Sequence, residues 1–280
     1  MNLAKNKFDP ISLTPQPSTA LFSRVGAARV GAAWPLGARV QAAVTSREGG
    51  VSRGPYTSLN LATHVGDEPA AVAENRRRVR AALALPDEPL WLSQVHGTAV
   101  VDADADADAD AGEVGNRGGP PEADAAITRR PGRVLAVLVA DCLPVLIAAR
   151  DGSAIAVAHA GWRGLAAGVL ETTLAALAMP AGALSAWLGP AIGQPHFEVG
   201  EEVRAAFCDR DAGADSAFAR NTRGRWQCDL AGLARRRLAA LGISSVHGTA
   251  PCTYADAGRF YSYRREGVTG RLAALLWLAP

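Results

Sequence analysis

Five histidines and four cysteines are the side chains of this 280-residue sequence best suited to metal or nucleophilic chemistry, and the spacing of turn signals singles out three of them. Leu92-Ser93-Gln94-Val95-His96-Gly97 sets an imidazole beside a glycine at the end of an apolar run. Ile155-Ala156-Val157-Ala158-His159-Ala160-Gly161 does the same ahead of a helix. Between them, Val137 to Pro144 places Asp141 and Cys142 where a buried strand breaks at a proline. If these three ends lie side by side, His96, Cys142 and His159 converge at one rim. A thiolate and two imidazoles suit zinc, and three protein ligands leave the fourth tetrahedral position open, as in catalytic zinc sites. Such a metal acidifies water toward neutral pH and so supplies a nucleophile. The ligands are not paired as CxxC or HExxH, so the spacing leaves a second reading open. In it, Cys142 is a small core hydrophobe and the histidines are hydrogen-bonded strand ends.

Three further segments could contact a ligand. The loop from Thr45 to Leu61 is dense in glycine, hydroxyls and arginine. It reads either as a lid whose Arg47, Ser52 and Asn60 meet a polar substrate or as an ordinary surface loop. Arg163 follows His159 at the start of a helix, where a guanidinium suits an anion such as phosphate, or else forms a surface salt bridge. The segments Cys252-Thr253-Tyr254 and Phe260 to Arg265, which contain Arg264, concentrate aromatics in a chain with 6% of them. They suit either stacking on a flat heterocycle or a half-buried strand.

The elements that must position these residues read from periodicity. Apolar runs of strand length occupy 40–45, 90–95, 123–128, 134–140, 144–149, 154–158 and 184–188, and Leu272 to Leu278 is another. Helical spacing marks Val72, Arg76, Val79 and Leu83, entered through Asp67-Glu68-Pro69. A second helix follows Gly161 with Leu165, Val169, Thr173 and Leu177 on one face. A third runs from Asp229 to Leu241, with Leu230, Leu233, Ala234 and Leu241 inward. Strands outnumber helices and several are joined by turns too short for a crossover helix. The expectation is therefore a single-domain layered α/β sandwich with mixed sheets, not a doubly wound sheet. Neither GxGxxG nor a P-loop occurs, which argues against dinucleotide and Walker-type chemistry.

Composition bounds the function class. The chain is 49% hydrophobic and 20% charged, as globular domains are, and its net charge of +2 gives no broad footprint for nucleic acid. No apolar run approaches the roughly 20 residues that cross a bilayer. Four cysteines are too sparse for a disulfide scaffold, and residues 1–20 lack the apolar stretch of a secretory signal, so a cytoplasmic location is expected. Residues 1–36 read as a flexible extension to a catalytic domain at 37–280. Within that domain, 102–121, with its Asp-Ala repeat followed by GEVGNRGGPP, reads as a flexible surface insertion.

Taken together, REGGVSRGPYTSLNLATHVGDEPAAVAENRRRV, LSQVHGTAVV, EADAAIT, ADCLPVLIA, AVAHAGWRGLAAGVLETT, WLGPAIGQPHFEVGEEV and CTYADAGRFYSYRREGVTGRLAALLWL resemble the YfiH and YlmD family over residues 38–280. Members have been called polyphenol oxidoreductase or laccase, purine nucleoside phosphorylase, and peptidoglycan editing factor. The resemblance implies a YfiH-like layered fold and a zinc site at His96, Cys142 and His159. It also implies phosphorolysis of adenosine, inosine and methylthioadenosine, together with adenosine deamination. Many relatives carry cysteines where this chain has Gln194-Pro195-His196-Phe197, so His196 is not expected to be an essential ligand. Copper is expected only as an adventitious occupant, because one His2Cys copper site leaves three histidines for an oxygen-reducing cluster. A rival from another class is a hydrolase editing cell-wall precursors with Cys142 as its nucleophile.

Overall fold

Two sheets form the centre of the computed structural model, which describes residues 27–29, 34, 36, 37, 39–105 and 119–280. In the first sheet, β1 (Ala27–Arg29), β2 (Val40–Thr45), β13 (Leu272–Leu278) and β5 (Val134–Val139) lie side by side in that order, each antiparallel to its neighbour. The second has six strands in the order β12 (Val246–His247), β8 (Leu184–Leu188), β6 (Leu143–Ala149), β7 (Ile155–Ala160), β4 (Ala125–Thr128) and β3 (Val100–Asp102). Its inner pairs are antiparallel and its two edge pairs parallel, so the sheet is mixed.

The alternation of side chains along each strand builds the layers. Ala274, Leu276 and Leu278 of β13 pack with Leu135 and Val137 of β5 against Leu146, Ile155, Val157 and Trp187 of the six-stranded sheet. Their neighbours Ala273, Leu275 and Trp277 face the other way, onto Val79 and Leu83 of α1 (Pro69–Leu83). The outer face of the six-stranded sheet carries Val145, Ile147, Ala156 and Ala158. These pack under α2 (Trp162–Ala167), α3 (Val169–Leu177), α4 (Glu201–Cys208) and α5 (Leu230–Ala240). The result is a four-layer α/β/β/α sandwich. Strands covered on both faces lose the polar–apolar alternation, which is why 134–139 and 272–278 read as continuous apolar runs.

Several boundaries differ from the sequence reading. Residues 90–95 are not a regular strand. They make single bridges, Leu90 to Leu135 and Ser93 to Glu122, and the Gln94 side chain replaces backbone pairing by donating to Leu138 O and accepting from Leu138 N. The helix expected after Gly161 is two pieces, because Gly168 adopts φ 109° between α2 and α3. In α5 the last inward leucine, after Leu230 and Leu233, is Leu238, while Leu241 follows the helix half-buried. Sequence periodicity passed over α4, the strands of a small sheet, β9 (Glu198–Val199), β10 (Phe218–Arg220) and β11 (Trp226–Cys228), and α6 (Tyr263–Glu266). Within the stretch read as an extension, Ala27–Arg29 pair with β2 and buried Trp34 donates to Ser185. Asp104, inside the stretch read as an insertion, accepts from Thr128 and Arg129. Residues 1–26, 30–33, 35 and 106–118, on which most of those two readings falls, lie outside the described residues. Among the described residues, no helix is long and apolar enough to cross a membrane.

Candidate metal centre

Cys142 sits in the turn from β5 to β6, where the chain passes from one sheet to the other. Asp141 makes that turn at φ 104°. The β6–β7 ladder pairs Leu143 with Ala160 and Pro144 with His159, which sets Cys142 beside the end of β7. His96 comes from the loop before β3 and adopts φ 62°. One ligand atom from each of His96, Cys142 and His159 falls within 4.8 Å of the others, with Cys142 Sγ 3.8 Å from His96 Nε2. The two imidazole rings meet edge to face at 4.9 Å.

A residue that the spacing did not single out holds this arrangement. Asp124, immediately before β4, is fully buried. Its Oδ1 accepts from His159 Nδ1 at 2.8 Å and from the His96 amide at 2.9 Å, and its Oδ2 accepts from the Gly97 and Val95 amides. One carboxylate therefore orients the ring of His159 and gathers the backbone that presents His96. The EADAAIT segment contains this acid directly ahead of an apolar run, which is the only signal the sequence offers for it.

Glycines allow the approach. A Cβ at Gly161 would stand 2.9 Å from Cys142 Sγ and 3.0 Å from His96 Cδ2, and one at Gly164 would stand 2.9 Å from Gly97 O. Helix α2 thus presses its backbone against the triad and its loop. Asp141 is bonded outside the triad. It accepts from Thr253 Oγ1 and the Arg264 amide and so ties the C-terminal segment to the Cys142 turn.

The charges in the triad are coupled. Burial opposes ionisation of the Cys142 thiol, but the imidazoles of His159 and His96 outweigh it and lower its pKa to about 6. Burial likewise opposes the charge on His159, and the Cys142 thiolate and Asp124 reverse this and raise it to about 9. Asp124 is held below the usual carboxylate range. Burial works against this, and the His159 hydrogen bond and the Gly97 and Val95 amides prevail. Two imidazoles and a thiolate-forming sulfur, with a buried carboxylate on the far nitrogen of one ring, fit a divalent metal of the zinc type.

The other expected ligand contacts separate into two groups. Ser52 and Asn60 are buried and their polar atoms are spent internally. Ser52 donates to Asp67, and Asn60 donates to Asp67 and Ala62 O while accepting from the Ala62 and Arg271 amides. Asn75 of α1 completes the network by bonding Val51, Ser52, Ser58 and Asn60. Arg47 pairs with Glu266 at 2.7 Å and donates to Thr57 O and Ala257 O. The loop is thus a fastened framework rather than a lid with free ligand-binding groups, because burial obliges its polar groups to bond one another. Arg163 and Arg264, by contrast, are exposed and line one cleft beside the triad.

Residues 41–279 match the family model described as multi-copper polyphenol oxidoreductase laccase. The chain belongs to that YfiH-type family. It is 50% identical over 246 residues to a Pseudomonas aeruginosa protein named purine nucleoside phosphorylase, covering 88% of this chain and 96% of the relative. It is 47% identical to purine nucleoside phosphorylase YfiH of Escherichia coli, again over 88% of this chain and 96% of the relative. A crystal structure of a Neisseria meningitidis protein superposes with a TM-score of 0.81 at 46% identity, covering 88% of this chain and 97% of that one. The layered fold is that of these YfiH-type neighbours.

Proposed function

We propose that this protein is a zinc-dependent purine nucleoside phosphorylase that also deaminates adenosine. It acts on adenosine, inosine and methylthioadenosine, and His96, Cys142 and His159 hold the zinc. The observation that carries this reading is the three-ligand set backed by Asp124, in a chain whose relatives bear the phosphorylase name. Zinc held by these three side chains would supply Lewis-acid chemistry. In phosphorolysis a phosphate oxygen bonds to ribose C1′ as the bond from C1′ to the base breaks, and the base leaves with the electron pair and takes up a proton. In deamination water replaces the C6 amino group, which leaves as ammonia. Asp124 keeps the proton of His159 on Nδ1, so that Nε2 is the ring nitrogen free to serve as ligand. The exposed position of His96 leaves the triad open on that side. All four cysteines are free, as in a reducing cytoplasm.

Incubating metal-quantified protein with adenosine, with and without phosphate, tests the reading. Adenine should form with phosphate and inosine without it; a fully zinc-loaded protein that forms neither refutes it. One observation favours a second reading. Cys142 Sγ lies 3.8 Å from His96 Nε2, and without metal the imidazoles lower the thiol pKa to about 6, which suits a nucleophile in a hydrolase editing cell-wall precursors. Stoichiometric zinc bound through Cys142 in the active protein excludes that role. A multicopper oxidase would need a further set of ligands, and none is gathered among the described residues. All five histidines are among the described residues, yet His196 stacks on Tyr254, His247 bonds Ser245, and His64 stands by Arg271 and Arg76. Among the described residues, only the His96, Cys142 and His159 group gathers three metal-ligating side chains of the His, Cys or carboxylate kind. Phenol oxidation should therefore be negligible once free copper is removed.

A further inference from the structure

Beside the triad lies a cleft of about 370 Å³ between α2 and the segment from Phe197 to Val203. Three guanidiniums line it, from elements far apart in the chain: Arg163 at the start of α2, Arg225 on the β10–β11 hairpin and Arg264 in α6. Two are propped by aromatic rings. Arg163 lies over Trp162 at 4.7 Å and Arg264 over Phe197 at 5.4 Å, so a cation–π contact holds each guanidinium at the cleft. Among the described residues, the side chains of Arg163 and Arg225 make no hydrogen bond or ion pair, and Arg264 spends one donor on Glu198 O. Two carboxylates also line the cleft, but Glu198 is taken by Arg223 and Asn221, which leaves Glu202 against three arginines. The cleft is therefore a cationic, donor-rich cavity whose donors lack acceptors.

Its position ties it to the triad. Trp162 follows Gly161, whose α-carbon abuts Cys142 and His96, and the Arg264 amide bonds Asp141, the residue before Cys142. Its volume lies within the roughly 300–1,000 Å³ of small-molecule sites, far more than a bare phosphate fills. Guanidinium forks match phosphoryl oxygens in geometry and charge, and three of them suit a dianion.

We infer that this cleft binds a phosphorylated pentose, with Arg163, Arg225 and Arg264 gripping the phosphoryl group and the sugar directed toward the metal triad. The assignment rests on the phosphorylase reading, in which pentose 1-phosphate is formed, and it adds the place and the residues. Arg225 is the decisive member, because neither the sequence patterns nor the triad pointed to it.

Calorimetric titration of zinc-loaded protein with ribose 1-phosphate, inorganic phosphate and ribose tests the assignment in the absence of any base. Ribose 1-phosphate should bind, inorganic phosphate should compete with it, and ribose alone should not bind measurably. Arg225→Ala and Arg264→Ala should each weaken ribose 1-phosphate at least tenfold. Arg220→Ala, which removes an arginine stacked on Trp226 outside the cleft, should leave it unchanged. Zinc content and thermal unfolding check that each variant is folded, and Arg225, exposed on a hairpin turn, can be removed without disturbing the core. Unchanged affinity in both cleft variants overturns the assignment, as does a protein that takes inorganic phosphate but not the sugar phosphate. Base release by wild-type protein whose sugar-phosphate affinity ignores these arginines refutes the cleft alone. Sugar-phosphate binding that depends on them, without any base release from nucleosides, supports the cleft and refutes the phosphorylase reading.

Discussion

Replacing Asp124 with Asn tests whether one buried carboxylate organises the metal site. The change conserves shape and removes a charge, yet either amide orientation sets an NH2 group against two N–H donors. Turned one way, it opposes His159 Nδ1 and the His96 amide; turned the other, it opposes the Gly97 and Val95 amides. A buried donor left without an acceptor costs about 1–3 kcal/mol. In the first orientation, His159 can keep its bond only by moving its proton to Nε2, which then has no lone pair for a metal. In the second, the loop that carries His96 loses two of its three ties to the carboxylate. Loss of such a supporting bond weakens metal affinity about 10–100-fold, which corresponds to roughly 1.4–2.8 kcal/mol. Competition between the protein and a chromogenic chelator for zinc near neutral pH measures this directly, and thermal unfolding of both metal-free proteins separates it from loss of fold. Asp124→Asn that folds and holds zinc as tightly as wild type would show that the carboxylate does not position the ligands.

Other expectations follow from particular contacts. Gly161→Ala pushes a methyl to 2.9 Å from Cys142 Sγ, so zinc retention should fall at least tenfold while the metal-free fold persists; full retention in a dialysis assay contradicts the close approach. Asn75→Ala removes four hydrogen bonds of a buried amide, and denaturant unfolding should show a loss of about 2–4 kcal/mol with zinc affinity kept. A neutral outcome would mean that the loop from Ser46 to Asn60 is not fastened through α1. Glu266 has a lowered pKa: burial opposes the shift, and bonds from Thr269, Arg47 and Arg265 outweigh it. Its stabilising contribution is thus present above the ordinary glutamate range and lost as pH falls through the lower folded value. The stability gap between wild type and Glu266→Gln should therefore shrink as pH drops below the ordinary glutamate value of 4.5, and urea midpoints with a constant gap at all pH values would refute the network's role.

What the sequence by itself determined is local. Apolar runs marked β2, β5, β8 and β13 because strands covered on both faces are mostly apolar, and helical spacing marked α1 and α5 because each buries one stripe. The members of the candidate triad were legible too, since His96, Cys142 and His159 stand beside turn signals that end apolar runs. Only tertiary structure decided the rest. The 90–95 run fails as a strand because Gln94 supplies by side chain the bonds a backbone ladder would have made. Asp124 gains its role from partners 28 and 35 residues away, a separation that leaves no mark on local pattern. Ser52 and Asn60 looked like ligand contacts because hydroxyls and amides read alike whether they face substrate or one another; burial turned them inward. Arg225 lies on a hairpin of a sheet too short to show periodicity, and it meets Arg163 and Arg264 only because three distant segments fold onto one cleft. Residue type and local period are written in the chain. Convergence is a property of long-range packing, and packing alone decides which donors end with partners and which face an open cavity.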